Sequence, residues 1–247
     1  MVDAAGGDGW TALVARGYNG RRSGAPSPFQ DEDAMLTIWG SKTSSNVQAL
    51  MWCVGELGLP FRRHDVGHKY GGADTPEFLA MNPNGLIPVL RDGDGEPLWE
   101  TGAILRYLAA RYGDDSFWPR DAAARAHVDK WAEWAKINVV MNFTGGVFWR
   151  VVRVAARDRD EAGVQRGLTT LAPFLDIAER RLAAHAFLCG DAFTLADVQF
   201  GHILFRYFDI TIPRAERPAL RNYYDRLGKR PAYREHVMVS YEELRVS

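Results

Sequence analysis

The hydrophobic pattern divides the chain into stretches of different character. Residues 1–34 show no apolar periodicity and are rich in glycine and charge, so we predict a flexible extension, or an upstream translation ahead of a natural start at Met35. After Met35, short β-favouring apolar runs alternate with helical spacing up to about residue 114, and only helical spacing remains beyond about residue 121. The pattern therefore predicts an α/β unit (35–114), a linker (115–121) and an all-helical unit (122–247).

The α/β unit has the element order of a thioredoxin-like domain. The runs MLTIW and FRRHDV predict strands, and the helix between them (VQALMWCVGELGL) is long enough for a parallel crossover. A short helix, TPEFLAMN, follows, with proline at its first position. The strands LIPVLR and PLWE then flank DGDG, a hairpin signal, and a last helix covers 101–112. The predicted order is β-α-β-α-β-β-α.

The remainder reads as a helical bundle. Apolar spacing predicts helices over 121–156, 160–185, 195–210 and 217–229, and a shorter one after Pro231. The pair Gly145-Gly146 predicts a bend or break in the first of them. The fold class is therefore α/β plus all-α, in two layered units.

Composition narrows the classes of partner. The 30 basic and 31 acidic residues give a net charge of −1, and no basic cluster stands out, which argues against nucleic-acid and anionic-membrane binding. No apolar run is long enough to span a bilayer and no secretory signal precedes the body, so we expect a cytoplasmic protein. Cys53 and Cys189 form no CxxC, which argues against a disulfide framework, a dithiol pair or a metal site. The expected partner is a small molecule.

The first strand-to-helix turn, Thr43-Ser44-Ser45-Asn46, carries candidate chemistry. These residue types are the preferred N-caps of helices, so their side chains can simply satisfy backbone amides. A hydroxyl at the positive end of a helix can instead donate to a thiolate. Lowering a thiol pKa of about 8.5 by two units takes about 2.7 kcal/mol, which a charge-assisted hydrogen bond and the helix dipole can supply. The residues alone do not decide between helix capping and binding of a thiolate.

Two further positions suit a peptide-like ligand. Pro88 interrupts a predicted strand, which indicates either an edge strand with trans proline or a cis turn that exposes the backbone of Ile87. Glu100 and Thr101 begin a helix, either as a cap or as a site where amides and a hydroxyl bind a carboxylate while Glu100 holds an ammonium. Glutathione carries the carboxylate, ammonium, internal peptide and thiol that would use all three positions.

Residues 35–240 resemble the cytosolic glutathione S-transferases, especially theta-like and other bacterial members. LTIWGSKTSSNVQALMWCVGELGLPF is similar to the family's first strand and helix, NPNGLIPVL to its cis-proline segment, and LWETGAILRYLAARYG to its γ-glutamyl site and following helix. FLCGDAFTLADVQFG is similar to the capping box of the helical domain. The resemblance implies a cytoplasmic homodimer that serves detoxification.

The resemblance also implies site residues. Ser44 falls where theta-like members place their catalytic serine, but Pro-Cys-Arg, which tends to follow it there, is replaced by residues 46–48, Asn-Val-Gln. The family usually has Glu-Ser at the γ-glutamyl site, where Thr101 keeps the hydroxyl. The implied glutathione-binding residues are Ser44, Lys69, Ile87, Pro88, Glu100 and Thr101. Thr43, Ser45 and Asn46 stay alternative contacts for the thiolate. Lys69 and His68 are either ligands of the glycyl carboxylate or solvated loop residues.

A second substrate is expected between the two units, against the helix after the linker. Phe143, Phe148 and Trp149 offer apolar surface there, and Arg150, with Arg153, offers positive charge to an acidic electrophile.

The leading prediction is a glutathione transferase that takes glutathione as co-substrate, needs no metal, and activates the thiolate near Ser44 for attack on a hydrophobic electrophile. One alternative is a glutathione-dependent peroxidase or disulfide reductase on the same fold. Another is a non-enzymatic glutathione-fold binding or interaction protein, in which Ser44 is only a cap.

Overall fold

The computed structural model describes residues 35–246. The extension predicted over residues 1–34 lies outside the described residues. Across the described part of the chain, no helix has both the length and the apolar character needed to cross a membrane.

A mixed four-stranded sheet forms the first part of the structure. Its strands are β1 (Leu36–Trp39), β2 (Phe61–His64), β3 (Val89–Asp92) and β4 (Leu98–Trp99), in the order β2-β1-β3-β4. β1 runs parallel to β2, as the crossover predicted, and β3 pairs antiparallel with both β1 and β4. β3 begins after Pro88 rather than at Leu86, because a proline has no amide to donate to the sheet.

Three helices complete the α/β part: α1 (Ser45–Glu56), α2 (Pro76–Met81) and α3 (Thr101–Tyr112). The β-α-β-α-β-β-α order is therefore confirmed. α2 begins where its sequence predicts, since the Thr75 hydroxyl accepts the amide of Phe78 at 3.3 Å.

The remainder is helical. Its elements are α4 (Ala122–Trp134), a π-helical segment (Ala135–Val140), α5 (Met141–Phe143), a second π-helical segment (Thr144–Phe148), α6 (Trp149–Val152), α7 (Glu161–Ala184), α8 (Leu195–Gly201), α9 (Leu204–Asp209), α10 (Pro218–Leu227) and α11 (Pro231–His236). The structure thus has the predicted class, a thioredoxin-like unit followed by a helical bundle. The boundary at residues 115–121 stays a prediction.

The chain does not break at Gly145-Gly146. It continues as a helix with π geometry, so the predicted break is wrong, while a bend at this point stays a prediction. A methyl group added to Gly167 would lie 2.2 Å from the carbonyl oxygen of Gly146, so α7 approaches this stretch backbone to backbone. Gly145, by contrast, has no described atom within 4 Å of the position its Cβ would take. Gly167 and Gly146 permit this close packing, while Gly145 leaves open space.

The helix predicted over 195–210 is instead two helices, α8 and α9. His202 lies at the interruption, and its Nδ1 is 3.2 Å from the carbonyl oxygen of Val198.

Helix α1 joins the two parts into one core. Residues Val47–Val54 are all buried, because α3 packs on one side of the helix and α8 and α11 pack on the other. The ring of Trp52 lies 4.7 Å from Tyr233 and 5.6 Å from Phe193. A helix covered on several sides holds the turn at its N-terminus in a fixed place, and that turn carries the candidate chemistry.

Candidate functional site

A cavity of about 770 Å³ lies between the α/β part and the helical part, a volume suited to a small-molecule ligand. The α/β part contributes the turn after β1, the loop before α2, Ile87 and Glu100. The helical part contributes one side of the stretch between residues 136 and 153, and the C-terminal segment contributes Leu244. Three positions singled out in the sequence, Ser44, Ile87 and Glu100, therefore meet at one cavity.

Ser44 is the N-cap residue of α1, yet its side chain makes no capping hydrogen bond. Its backbone is extended (φ −74°, ψ 126°), as expected of an N-cap, and its amide is held by the carbonyl oxygen of Ser41 at 3.1 Å. The residue is half-buried and lines the cavity. Its hydroxyl is therefore free to donate to a ligand at the positive end of α1.

The residues next to Ser44 differ in which hydrogen-bonding groups they leave available to a ligand. The buried Thr43 hydroxyl lies 2.5 Å from Oε1 of Glu243, and since a carboxylate only accepts, Thr43 must donate its single proton there. Thr43 also lines the cavity, but with its proton donated to Glu243 it is a weaker candidate for the thiolate than Ser44. Ser45 lines the cavity, and Oδ1 of Asn46 accepts a hydrogen bond from Nζ of Lys136 at 3.1 Å.

Lys136 brings a positive charge to the cavity wall from the helical part. Burial lowers the pKa of its ammonium, while Glu100 and Glu133 oppose that shift. No local pattern in the sequence marks this lysine, because its position beside Asn46 depends on contact between segments 90 residues apart.

The peptide bond between Ile87 and Pro88 is cis, so the alternative of an edge strand with trans proline is wrong. Ile87 lines the cavity, and neither its amide nor its carbonyl pairs with another described residue. Its backbone can therefore pair with the main chain of a peptide-like ligand. Pro88 itself is buried and does not line the cavity.

Two non-glycine residues in the described part of the chain have positive φ, and both line the cavity: Glu100 (φ 68°) and His68 (φ 51°). Such conformations cost roughly 1–3 kcal/mol and concentrate at functional sites. Glu100 is exposed and makes no capping bond to α3. Thr101, the first residue of α3, is buried and does not line the cavity, and its contact with a ligand carboxylate stays a prediction.

A role for Lys69 as a carboxylate ligand stays a prediction. Its ammonium pairs with Oε2 of Glu243 at 2.5 Å, and the residue does not line the cavity. The adjacent His68 does. Glu243, near the C-terminus, thus joins Lys69 to Thr43.

The predicted second-substrate wall is partly wrong. Trp149 lines the cavity and is 45% exposed, but Phe143 and Phe148 are buried in the core. Arg150 points elsewhere, with Nη1 3.6 Å from Oδ2 of Asp160, while Arg153 lines the cavity with its guanidinium 4.9 Å from the Trp149 ring. The other wall residues from this stretch are Val140, Met141, Thr144 and Gly145.

The phase of the helix explains the difference. A π-helical turn holds more residues than an α-helical turn, and two π segments lie between residues 135 and 148. The side of the helix that faces the cavity therefore does not follow from α-helical spacing.

Neither cysteine belongs to this cavity. Burial raises the pKa of the Cys53 thiol well above its usual range and raises the pKa of Cys189 to about 11. Both thiols stay protonated near neutral pH and are poor nucleophiles. Within the described residues, a reactive thiolate at the cavity would have to be a ligand's.

Comparisons with known proteins agree with the fold. The family model described as "Glutathione S-transferase, N-terminal domain" matches residues 43–111, and the one described as "Glutathione S-transferase, C-terminal domain" matches residues 161–226. Glutathione S-transferase GstB of Escherichia coli strain K12 is 34% identical over 206 residues, which span 83% of this chain and 99% of that protein.

Two further similarities bear on function. The disulfide-bond oxidoreductase YghU of the same strain is 30% identical over 203 residues, which span 78% of this chain and 69% of YghU. The crystal structure of a theta class glutathione S-transferase from Xanthomonas axonopodis pv. citri, with glutathione bound, is 40% identical and superposes with a TM-score of 0.78, covering 83% of this chain and 98% of that one. The chain therefore belongs to the glutathione S-transferase family.

Proposed function

We propose that the protein binds glutathione in this cavity, stabilises its thiolate at Ser44 and catalyses attack of that thiolate on a hydrophobic electrophile. The observation that carries the proposal is the free Ser44 hydroxyl, which sits at an N-cap but makes no capping bond and lines the cavity. The partial positive charge at the start of α1 favours an anion at the same place.

The rest of glutathione has matching groups around the cavity. The unpaired backbone of Ile87 is suited to pair with the cysteinyl unit, and Glu100 to bind the γ-glutamyl ammonium. The first amides of α3, beginning at Thr101, are suited to the γ-glutamyl carboxylate. Lys136 adds a positive charge across the cavity. The theta class relative was solved with glutathione bound, which supports glutathione as the ligand.

The chemistry needs no further nucleophile. The glutathione thiol loses its proton to solvent, the thiolate forms a bond to the electrophilic carbon, and the leaving group departs with its electron pair. The protein lowers the barrier by favouring the thiolate and by holding the two substrates together. Met141 and Trp149 offer exposed apolar surface for the electrophile, and Gly145 leaves room beside them.

Titration of the bound thiol tests the proposal. In the wild type, ultraviolet absorbance of the thiolate should give a pKa about two units below the free value, and Ser44→Ala should reverse most of that shift. Ser45→Ala removes a neighbouring hydroxyl from the same turn and should leave the thiol pKa unchanged. Conjugation of a generic aryl halide should fall in parallel with Ser44→Ala. An unchanged thiol pKa in Ser44→Ala would remove Ser44 from this role, and a shift in Ser45→Ala would assign it there.

A second candidate function is reduction of disulfides or peroxides, favoured by the similarity to YghU. In disulfide reduction, the glutathione thiolate attacks one sulfur, forms a mixed disulfide and expels the other sulfur as a thiolate. A second glutathione then releases glutathione disulfide. Faster turnover of a disulfide or peroxide than of an aryl halide would favour this function. Failure to bind immobilised glutathione would instead favour an interaction protein without catalysis.

We also propose, from family membership, that the protein is a cytoplasmic homodimer with a role in detoxification. Light scattering of the purified chain tests the dimer, because a monomeric mass would contradict it.

A further inference from the structure

Thr43, the residue before Ser44, is held at two points by the helical part of the protein. Its carbonyl oxygen accepts a hydrogen bond from Nη2 of Arg206, in α9, at 2.6 Å. Its hydroxyl donates to Oε1 of Glu243, in a one-turn 3₁₀ helix at residues 242–244, at 2.5 Å. Thr43 is 1% exposed, and the side chain of Glu243 is 21% exposed.

The C-terminal segment that carries Glu243 is itself anchored. The hydroxyl of Tyr241 donates to Oδ2 of Asp209 at 2.6 Å, and the amide of Val246 donates to the carbonyl oxygen of Val152 at 3.0 Å. Between them, the buried Leu244 lines the cavity. The Glu243 carboxylate is therefore held in place from both sides, and its second oxygen pairs with Lys69.

Arg206 is a buried cation that pairs with no carboxylate among the described residues. Besides Thr43, its Nη2 donates to Oε1 of Gln48 at 3.1 Å, and its guanidinium lies 4.7 Å from the Phe148 ring. Burial lowers the pKa of Arg206 to about 10, which leaves the side chain charged at neutral pH. Burying a cation without a carboxylate partner is unfavourable for stability. Stability therefore does not account for the burial of Arg206 against the Thr43 turn.

We propose that Glu243 and Arg206 are positioning residues, which fix Thr43 and thereby aim the Ser44 hydroxyl at the glutathione thiol. The inference rests on the proposed function. Ser44 makes no side-chain hydrogen bond of its own, so the direction of its hydroxyl depends on the backbone that Thr43 holds. A displacement of about 1 Å at a reacting group can lower a rate by a factor on the order of a hundred.

The main test compares Glu243→Ala with Glu242→Ala. Both residues lie in the same 3₁₀ turn, but Glu242 is exposed, and among the residues that the structure describes its carboxylate pairs with Arg245 alone. Glu243→Ala should raise the pKa of the bound glutathione thiol by about one unit and lower kcat/KM roughly tenfold. Glu242→Ala should leave both values unchanged. The thiol pKa is the decisive readout, since a merely structural role for Glu243 would not change it in protein that remains folded.

Further variants separate positioning from other roles. Glu243→Gln keeps an oxygen for the Thr43 hydroxyl and loses the ion pair with Lys69, so it should restore most of the thiol pKa shift. If Glu243 acts through Thr43, the double variant Thr43→Val with Glu243→Ala should match the Glu243→Ala single variant. Arg206→Lys keeps the charge but replaces the planar fork, and should also raise the thiol pKa.

The outcomes distinguish this inference from the proposed function. A wild-type protein that binds no glutathione, or binds it without lowering the thiol pKa, would overturn both. A normal wild type with an unshifted thiol pKa in folded Glu243→Ala would overturn only the inference. So would additive effects of Thr43→Val and Glu243→Ala, or higher activity in Glu243→Ala, which would show that Glu243 blocks the site instead of ordering it.

Discussion

Helices α1 and α8 both begin after a hydroxyl residue, but the two hydroxyls have different surroundings. At α8, the amide and the hydroxyl of Thr194 both donate to Oδ2 of Asp197, at 2.8 and 3.1 Å, within a capping box. At α1, Ser44 makes no capping bond and lines the cavity. One helix start is closed by its own side chains, and the other leaves a hydroxyl open to a ligand.

The closed start serves stability. Asp197 is fully buried, and its other oxygen accepts the amide of Leu188 at 3.0 Å and the hydroxyl of Tyr223 at 2.9 Å. This carboxylate ties the loop before α8 to α10. The open start gives up one local hydrogen bond, and departures from local rules of this kind are expected where function requires them. A hydroxyl side chain at the N-cap position thus has two roles, which only its partners distinguish.

The largest expected effect lies at the closed start. Asp197→Asn replaces a carboxylate oxygen by an NH₂ group that faces donors, and should lower the free energy of unfolding by roughly 3 kcal/mol. Urea denaturation measures this loss. The pKa of the bound glutathione thiol in the folded variant should equal its value in the wild type. A change in that pKa without loss of stability would contradict the division of roles.

Much of the α/β part could be predicted, because its signals are local. The helical spacing of α1, the Thr75-Pro76 start of α2 and the DGDG turn each lie within a dozen residues of sequence. Ser44, Ile87 and Glu100 were recognisable for the same reason, since each stands at the boundary of such an element. Their convergence on one cavity follows from the topology of the sheet.

The rest of the site depends on contacts that no spacing in the sequence encodes. Glu243 and Arg206 lie 200 and 163 residues from Thr43 along the chain. The contacts of Thr43 with these residues occupy its hydroxyl and its carbonyl oxygen, which its residue type alone could not show. The wall of the second-substrate pocket was misplaced because π-helical segments change which side chains face the cavity.

The second prediction concerns the pH dependence of stability and involves His202, which follows the C-terminal residue of α8. Burial lowers the pKa of His202 to about 3, and the positive charges of Lys136 and Arg206 add to the shift. The unfolded chain, with a histidine pKa of about 6.5, therefore binds a proton that the folded chain does not, so stability falls as pH falls below about 6.5. Between pH 6.5 and 5, His202 should account for a loss of about 1.5 kcal/mol.

The variant His202→Gln isolates this contribution, because other titrating groups are common to both proteins. The free energy of unfolding of the wild type should decline more steeply with falling pH than that of the variant. The pKa of the bound glutathione thiol, which is set at the N-terminus of α1, should be the same in both proteins. Equal slopes for stability would show that His202 does not supply the dependence.

A smaller effect is expected at Thr75, an ordinary N-cap. Its hydroxyl accepts the amide of Phe78 and does not line the cavity. Thr75→Ala should lower the free energy of unfolding by about 1 kcal/mol, as loss of a capping bond usually does. Urea denaturation checks it, and the thiol pKa should stay unchanged.

The smallest expected change in stability is at Ser44, the residue proposed to matter most for activity. Ser44→Ala breaks no capping hydrogen bond, so the free energy of unfolding should change by only about 0.3 kcal/mol, within the range of substitutions away from special features. Thr75→Ala, measured in the same urea series, supplies the matched value for a working cap. If Ser44→Ala loses as much stability as Thr75→Ala, the Ser44 hydroxyl caps α1 in solution, and the contrast between the two helix starts fails. If stability is retained while the thiol pKa rises, that hydroxyl is directed at the ligand.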